Sequence, residues 1–286
     1  MNPILEQMLK SHEIYSSQSR TNSIKEVVQE VVLYGLSRAG FFKSCAFYGG
    51  TALRIFHGLD RFSEDLDFSL KTSDTSFDFN SYFTQLEKEL KTFGLKFSVE
   101  TKVKAKDSVV KSAFVRGNTL EHLVLFTMND VSEGIIGPKD LIKIKFEVDT
   151  NPPENASFEV KYQLLPVPYE ITLYDLPSLF AGKVHAVLAR SWKNRVKGRD
   201  LYDFIFYISR GVPLNVKHLE ARLKQTKHLD FDKTLTLDET SLLLIERFKQ
   251  IDYAQAKLDV IPFIKNRGGL DVWSASFFCE ITKNLK

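Results

Sequence analysis

Two aspartates separated by a single leucine, Asp65-Leu66-Asp67, lie downstream of a Gly49-Gly50-Thr51 turn. Side chains alternate along an extended strand, so Asp65 and Asp67 share one face while Leu66 and Phe68 take the other. Two like charges held so close repel, and a divalent cation is the natural compensator. Mg2+ takes hard oxygen ligands and is commonly held by one or two carboxylates together with substrate phosphates. The glycines at 49 and 50 let the backbone approach a ligand closely, and a helix beginning at Thr51 would turn its N–H groups and positive dipole end toward phosphate. A phosphate cradle combined with two acids is the equipment of in-line phosphoryl displacement, in which two metal ions activate the attacking oxygen and neutralise the leaving group. Taken singly, Gly-Gly is a turn and Asp-x-Asp a solvated strand face; their combination carries the functional reading.

The surrounding elements must position these groups. KSCAFYGG predicts a short buried strand ending in a turn, TALRIFHGL a helix, and DLDFSL a second strand bounded by the polar run KTSDTSFDFN. Upstream, Ile24, Val27, Val28, Val31 and Val32 form a stripe at helical spacing. SYFTQLEKELKTFGL predicts a further helix, and KFSVETKVKAK and EHLVLFTM predict strands. LIKIKFEVD alternates, with Ile142, Ile144, Phe146 and Val148 on one face and Lys143, Lys145, Glu147 and Asp149 on the other. A connector rich in proline and asparagine follows, and beyond Asp175 the pattern is mainly helical. The expectation is an α+β chain with an α/β domain over 1–165 and a mainly helical domain over 166–286.

Composition narrows the choices. The 286 residues are 43% hydrophobic and 26% charged, ordinary globular values. A net charge of +3 gives no overall field for nucleic acid, so any such affinity must come from local patches. Cys45 and Cys279 are the two cysteines, without zinc-like spacing, which argues against a disulfide scaffold and suits a reducing compartment. No apolar run reaches the ~18 residues of a membrane span, and the first residues lack a signal-peptide core. A cytoplasmic protein with no membrane partner is expected.

GGTALRIFHGLDRFSEDLDF resembles the first motif of the nucleotidyltransferase superfamily, Gly-[Gly/Ser]-[Ser/Thr] followed by Asp-x-Asp. The variant is that of the AbiEii/AbiGii toxin family of type IV toxin–antitoxin and phage-defence systems, marked by Arg61-Phe62-Ser63-Glu64-Asp65. LPSLFAGKVHAVLARSWKNRVKGRDLYDF is similar to the family's later motif, a helical lysine followed by Lys-Gly-Arg-Asp-x-x-Asp. The resemblance implies a polymerase-beta-like mixed sheet with flanking helices, then a mainly helical C-terminal half. It implies catalytic roles for Asp65, Asp67, Lys183 and Asp200, and nucleotide binding by Gly49, Gly50, Thr51, Arg54 and Lys183. Asp65 and Asp67 would hold Mg2+ or Mn2+. Superfamily enzymes often add a third acid, and Glu147 and Asp149 share the required face; Asp149 is favoured because it ends the strand. An NTP is the implied substrate, RNA (particularly the tRNA 3′ end) the acceptor, and an antitoxin protein a partner.

Without the family, Lys183 shares a helical face with Leu179, Ala186, Val187 and Arg190, as a snorkelling lysine also would. Asp200 opens a helix, where an acid also complements the dipole. Arg190, Lys193, Arg195, Lys197 and Arg199 follow one another with Trp192 and no intervening acid, a stretch suited to gripping an acceptor backbone while the indole stacks on a base. His57, His122 and His185 lack metal-ligand spacing and read as surface or packing residues. A kinase-like phosphotransferase, a protein-modifying nucleotidyltransferase and a non-catalytic binding module are the alternatives.

Overall fold

The structure, a computed structural model, describes residues 2–12, 16–101, 119–128, 142–192 and 195–286. In chain order the elements are α1 (Pro3–Lys10), α2 (Ser17–Arg38), β1 (Cys45–Tyr48), α3 (Gly49–His57), β2 (Leu66–Leu70), α4 (Phe83–Thr92), β3 (Leu95–Thr101), β4 (Thr119–Met128), β5 (Ile142–Asp149), β6 (Phe158–Gln163) and β7 (Tyr169–Tyr174). Among the described residues helices alone follow: α5 (Leu176–Ala189), α6 (Gly198–Ser209), α7 (Val216–Gln225), α8 (Leu237–Lys249), α9 (Tyr253–Val260) and α10 (Ala275–Thr282), with short 3-10 turns. Among the described residues seven strands form one sheet in the order β3-β4-β5-β2-β1-β7-β6. It is mixed: β1 runs antiparallel to β2 and parallel to β7, and β2 runs parallel to β5. A mixed sheet with flanking helices and a helical C-terminal part is the architecture implied by the sequence resemblance.

The chain forms two compact units. One comprises Met1–Ala52, Glu64–Pro152 and Val160–Leu173; the other comprises Leu53–Ser63, Pro153–Glu159 and Tyr174–Lys286. In the first unit the stripe of Ile24, Val27, Val28, Val31 and Val32 is buried along α2, as helical periodicity demands. Under β1, β2 and β5 lies an aromatic core. Phe68 packs against Phe41, Phe47 and Phe146 with ring centroids 5.0, 5.2 and 6.1 Å away. These rings anchor β2 from below, so its opposite face is held at a fixed height.

In the second unit α5 and α6 pack through Phe180 and Tyr207, whose stacked rings lie 4.6 Å apart. Phe204, Phe248 and Phe278 extend that core toward α8 and α10. At the start of α6, Gly198 meets α9 so closely that an added Cβ would lie 2.7 Å from the carbonyl carbon of Ala256. Glycine is therefore a packing requirement there. Among the described residues no helix is long and apolar enough to cross a membrane.

Candidate active site

In the first unit the glycine turn passes from strand to helix without an intervening loop. α3 begins at Gly49, two residues earlier than expected, and Gly49 adopts φ +83°, a torsion that other residues reach only with strain. Its missing side chain has a second use. A Cβ there would stand 3.1 Å from both Cβ and Cγ of Asp67, and nearer still to the carboxylate oxygen. Thr51 is fully buried, and its hydroxyl donates to the backbone carbonyl of Asp65 at 2.5 Å. That bond ties the first turn of α3 to the residue that precedes β2.

The strand period works as expected around the acids. Leu66 and Phe68 are completely buried, whereas Asp65 and Asp67 are half-buried. Pairing of β2 with β5 sets Asp67 beside Glu147 and Ser69 beside Asp149. Of the two candidate third acids, Glu147 therefore stands at the level of Asp67, and Asp149 stands one pleat farther along. Glu147 is paired with Lys145, while Asp149 accepts a hydrogen bond from the backbone N–H of Asn151 at 3.0 Å, closing the turn after β5. Among the described residues no group of three or more His, Cys, Asp or Glu could by itself hold a metal ion. Two hard carboxylates nevertheless suit Mg2+ or Mn2+, because such ions usually complete their shell with substrate phosphates and water.

In the second unit a buried ionic network surrounds the helical lysine. Lys183 on α5 has its Nζ 2.8 Å from Oδ1 of Asp200 and 2.8 Å from Oδ2 of Asp203. The two acids stand three residues apart on α6 and so share one face of it. Arg61 closes the network from the other side, donating from Nε and Nη2 to the two oxygens of Asp203 at 2.6 Å each. Arg61 is 3% exposed and Asp203 completely buried, so this is a desolvated fork-on-carboxylate pair. Burial alone would raise the carboxyl pKa of Asp200, but Lys183 and Arg190 outweigh it and hold the group down at about 2. Asp203 is likewise lowered: burial opposes ionisation, and Arg61 with Lys183 overcomes it. Sequence reading assigned Asp200 a part but gave Asp203 and the buried Arg61 none of their own. The available signal was the Asp-x-x-Asp spacing.

The basic stretch is less bare than its sequence suggests. α5 ends at Ala189, and Arg190, in extended conformation, pairs with Asp200. Arg195 pairs with Asp259 of α9, which Arg199 also approaches at 3.9 Å. Lys197 is half-buried, and burial is the main cause lowering its pKa, followed by Arg190. Lys193 lies outside the described residues. The Trp192 ring is covered by the Arg247 guanidinium, 4.4 Å from its centroid, which occupies a face that a base would need. Arg54 donates to the carbonyl of Leu59 at 2.9 Å and so stiffens the loop after α3. His57 lies 3.4 Å from Glu159, and His185 bonds to Thr226 at 3.0 Å; both are packing residues.

These features can be set against known proteins. No curated protein sequence matches the chain. Among solved structures, MenT4, a nucleotidyltransferase toxin from Mycobacterium tuberculosis, is similar with a TM-score of 0.59 and 14% identity, covering 100% of this chain and 90% of that one. JHP933 from Helicobacter pylori is similar with a TM-score of 0.48 and 18% identity over 95% of this chain and 90% of that one. At such identity the MenT4 likeness speaks for the fold. The model of the AbiEii family, described as a nucleotidyl transferase toxin of a type IV toxin–antitoxin system, matches residues 31–276. That span takes in the glycine turn, the paired aspartates and the lysine network alike, and the chain belongs to the AbiEii nucleotidyl transferase toxin family.

Proposed function

We propose that this protein moves a nucleoside monophosphate from an NTP onto RNA, with the 3′ end of tRNA as the favoured acceptor, and releases pyrophosphate. The observation that carries the reading is the pair Asp65 and Asp67, half-buried at the start of β2, with Asp65 just before the strand and Asp67 fitted against Gly49. Asp65 and Asp67 would hold Mg2+ or Mn2+, with Asp149 or Glu147 as the third acid; the register of Glu147 beside Asp67 supports Glu147. When bound, the metal supplies Lewis-acid stabilisation of the charge that develops on the phosphoryl oxygens.

The chain's own groups have separate tasks in this reading. Backbone N–H groups in the first turn of α3, from Gly49 to Thr51, lack intrahelical acceptors and receive phosphate oxygens. Lys183 neutralises negative charge on the departing pyrophosphate, an effect worth more in a poorly hydrated site than in open water. Asp200 and Asp203 orient its ammonium group. Lys197 acts on the acceptor backbone, while Arg190 and Arg195 are engaged by Asp200 and Asp259.

A toxin that modifies tRNA would act in the cytoplasm, arrest translation and be restrained by an antitoxin. Incubating the protein with each α-labelled NTP and total RNA tests the proposal. Label in RNA is the expected result. Label in polypeptide would make it a protein-modifying enzyme, and no incorporation with any NTP would leave a binding module.

A further inference from the structure

The edge strand β6 is built inside out. Phe158, Val160 and Tyr162 are 38%, 52% and 71% exposed, while the alternate residues Glu159, Lys161 and Gln163 are half-buried. Glu159 lies against His57 at 3.4 Å, and Gln163 donates to Glu30 at 3.3 Å. Beyond the strand, Leu164 and Val167 add exposed apolar surface, with Leu164 at 71%. Among the described residues β6 ends the sheet and pairs with β7 alone, which leaves its outer edge a row of backbone donors and acceptors. Natural edges are usually blunted by charge or proline, yet this strand contains no proline, and its lysine occupies the half-buried face. A contiguous exposed apolar patch on such an edge marks an interface.

The order of residues says what covers it. We propose that β6 pairs antiparallel with β6 of a second copy of this chain, about a two-fold axis through Val160, joining two sheets into one. In that register Phe158 faces the second copy's Tyr162, Val160 faces the second copy's Val160, and Glu159 faces the second copy's Lys161. The apolar face thus acquires aromatic and β-branched cross-strand pairs, and the other face acquires two Glu–Lys pairs. A shift of one residue in register sets Glu159 against Tyr162 and Val160 against Lys161, so the two-fold pairing is the one in which both faces match. An isologous contact of this kind closes after two copies and does not extend into a filament.

Sedimentation velocity over roughly 1–200 µM is the test, a range that brackets the micromolar affinity of a small interface. Wild type is expected to pass from monomer to dimer. K161E and E159K each set like charges opposite one another and should weaken dimerisation at least tenfold. An equimolar mixture of the two should restore it, because every cross-strand pair then joins opposite charges. Since Glu159 also meets His57, V160D serves as a variant of an exposed position and should likewise be monomeric with an unchanged circular dichroism spectrum. A wild type that stays monomeric throughout, variants that dimerise like wild type, or a mixture that stays monomeric would each overturn the proposal.

Discussion

The carboxylate of Asp67 occupies the volume that a side chain at Gly49 would need. A Cβ built on Gly49 comes within 3.1 Å of Cβ and Cγ of Asp67, and Gly49 also carries φ +83°. Alanine at this position therefore meets two penalties, a strained backbone costing about 1–2 kcal/mol and displacement of an acid. Gly49→Ala is expected to lower stability by that amount in urea unfolding. Nucleotide transfer, measured where the variant is still folded, should fall much further. Retention of the wild-type rate would show that the position of Asp67 is not critical.

Arg61 and Asp203 form the fully desolvated pair under Lys183, so removing one partner strands the other. Arg61→Leu should cost about 3–5 kcal/mol of stability, the usual penalty for an uncompensated buried charge. Arg61→Lys keeps the charge but loses the two parallel hydrogen bonds, and an intermediate loss is expected. Chemical denaturation of the three proteins checks the order; equal stability would remove the network from the account.

Buried Asp200 and half-buried His185 make the second unit acid-labile, and the signs agree. Asp200 titrates at about 2 in the folded protein against an ordinary value of 3.8, so the unfolded chain takes up the proton first. Its contribution is complete above the ordinary value and is lost as pH falls through about 2. His185 is lowered from 6.5 to about 2, chiefly by burial and then by Arg222. Unfolded histidine thus binds a proton below pH 6.5 while the folded one stays neutral, and stability declines from that pH downward. Between pH 7 and 5 this linkage amounts to about 2 kcal/mol. His185→Asn should lose correspondingly less stability over that interval in urea melts at the two pH values; an identical loss would contradict the assignment.

The ion pairs also divide the basic stretch into working and occupied residues. Arg195 is engaged by Asp259, and Arg190 by Asp200. Lys197→Ala should weaken RNA binding across sequences and lower the salt slope by about 1, whereas Arg195→Ala should change the slope less. Filter binding over a series of salt concentrations distinguishes them, and an unaltered slope in Lys197→Ala would remove that lysine from the acceptor surface.

Local features were legible in the sequence and distant pairings were not. The strand, glycine turn, helix and second strand around Asp65 and Asp67 follow from residue types within a short window, as does the buried stripe of α2. The choice between Glu147 and Asp149 depends on how β5 registers with β2, which alternation within β5 leaves open. Likewise nothing local to Arg195 announces Asp259, an acid brought in by a later helix. Gly198 stands in the sequence only as a member of the Lys-Gly-Arg-Asp run, and its reason is the backbone of Ala256. Arg61 and Asp203 were each visible as part of a motif, but their pairing could be found only by folding the chain.

The central claim is that Asp65 and Asp67 support transfer of a nucleotide, and the mass of the RNA product tests it most directly. Purified tRNA would be incubated with the protein, the NTP that labels it and Mg2+, then weighed intact by mass spectrometry beside reactions with Asp65→Asn and Asp67→Asn. Asparagine preserves side-chain size, so both variants should stay folded while losing transfer by roughly a thousandfold, the equivalent of several kcal/mol of transition-state stabilisation. The account predicts tRNA heavier by one or more nucleoside monophosphates with wild type and unchanged tRNA with either variant. A gain of a single phosphate, or full nucleotide addition by the asparagine variants, would contradict it.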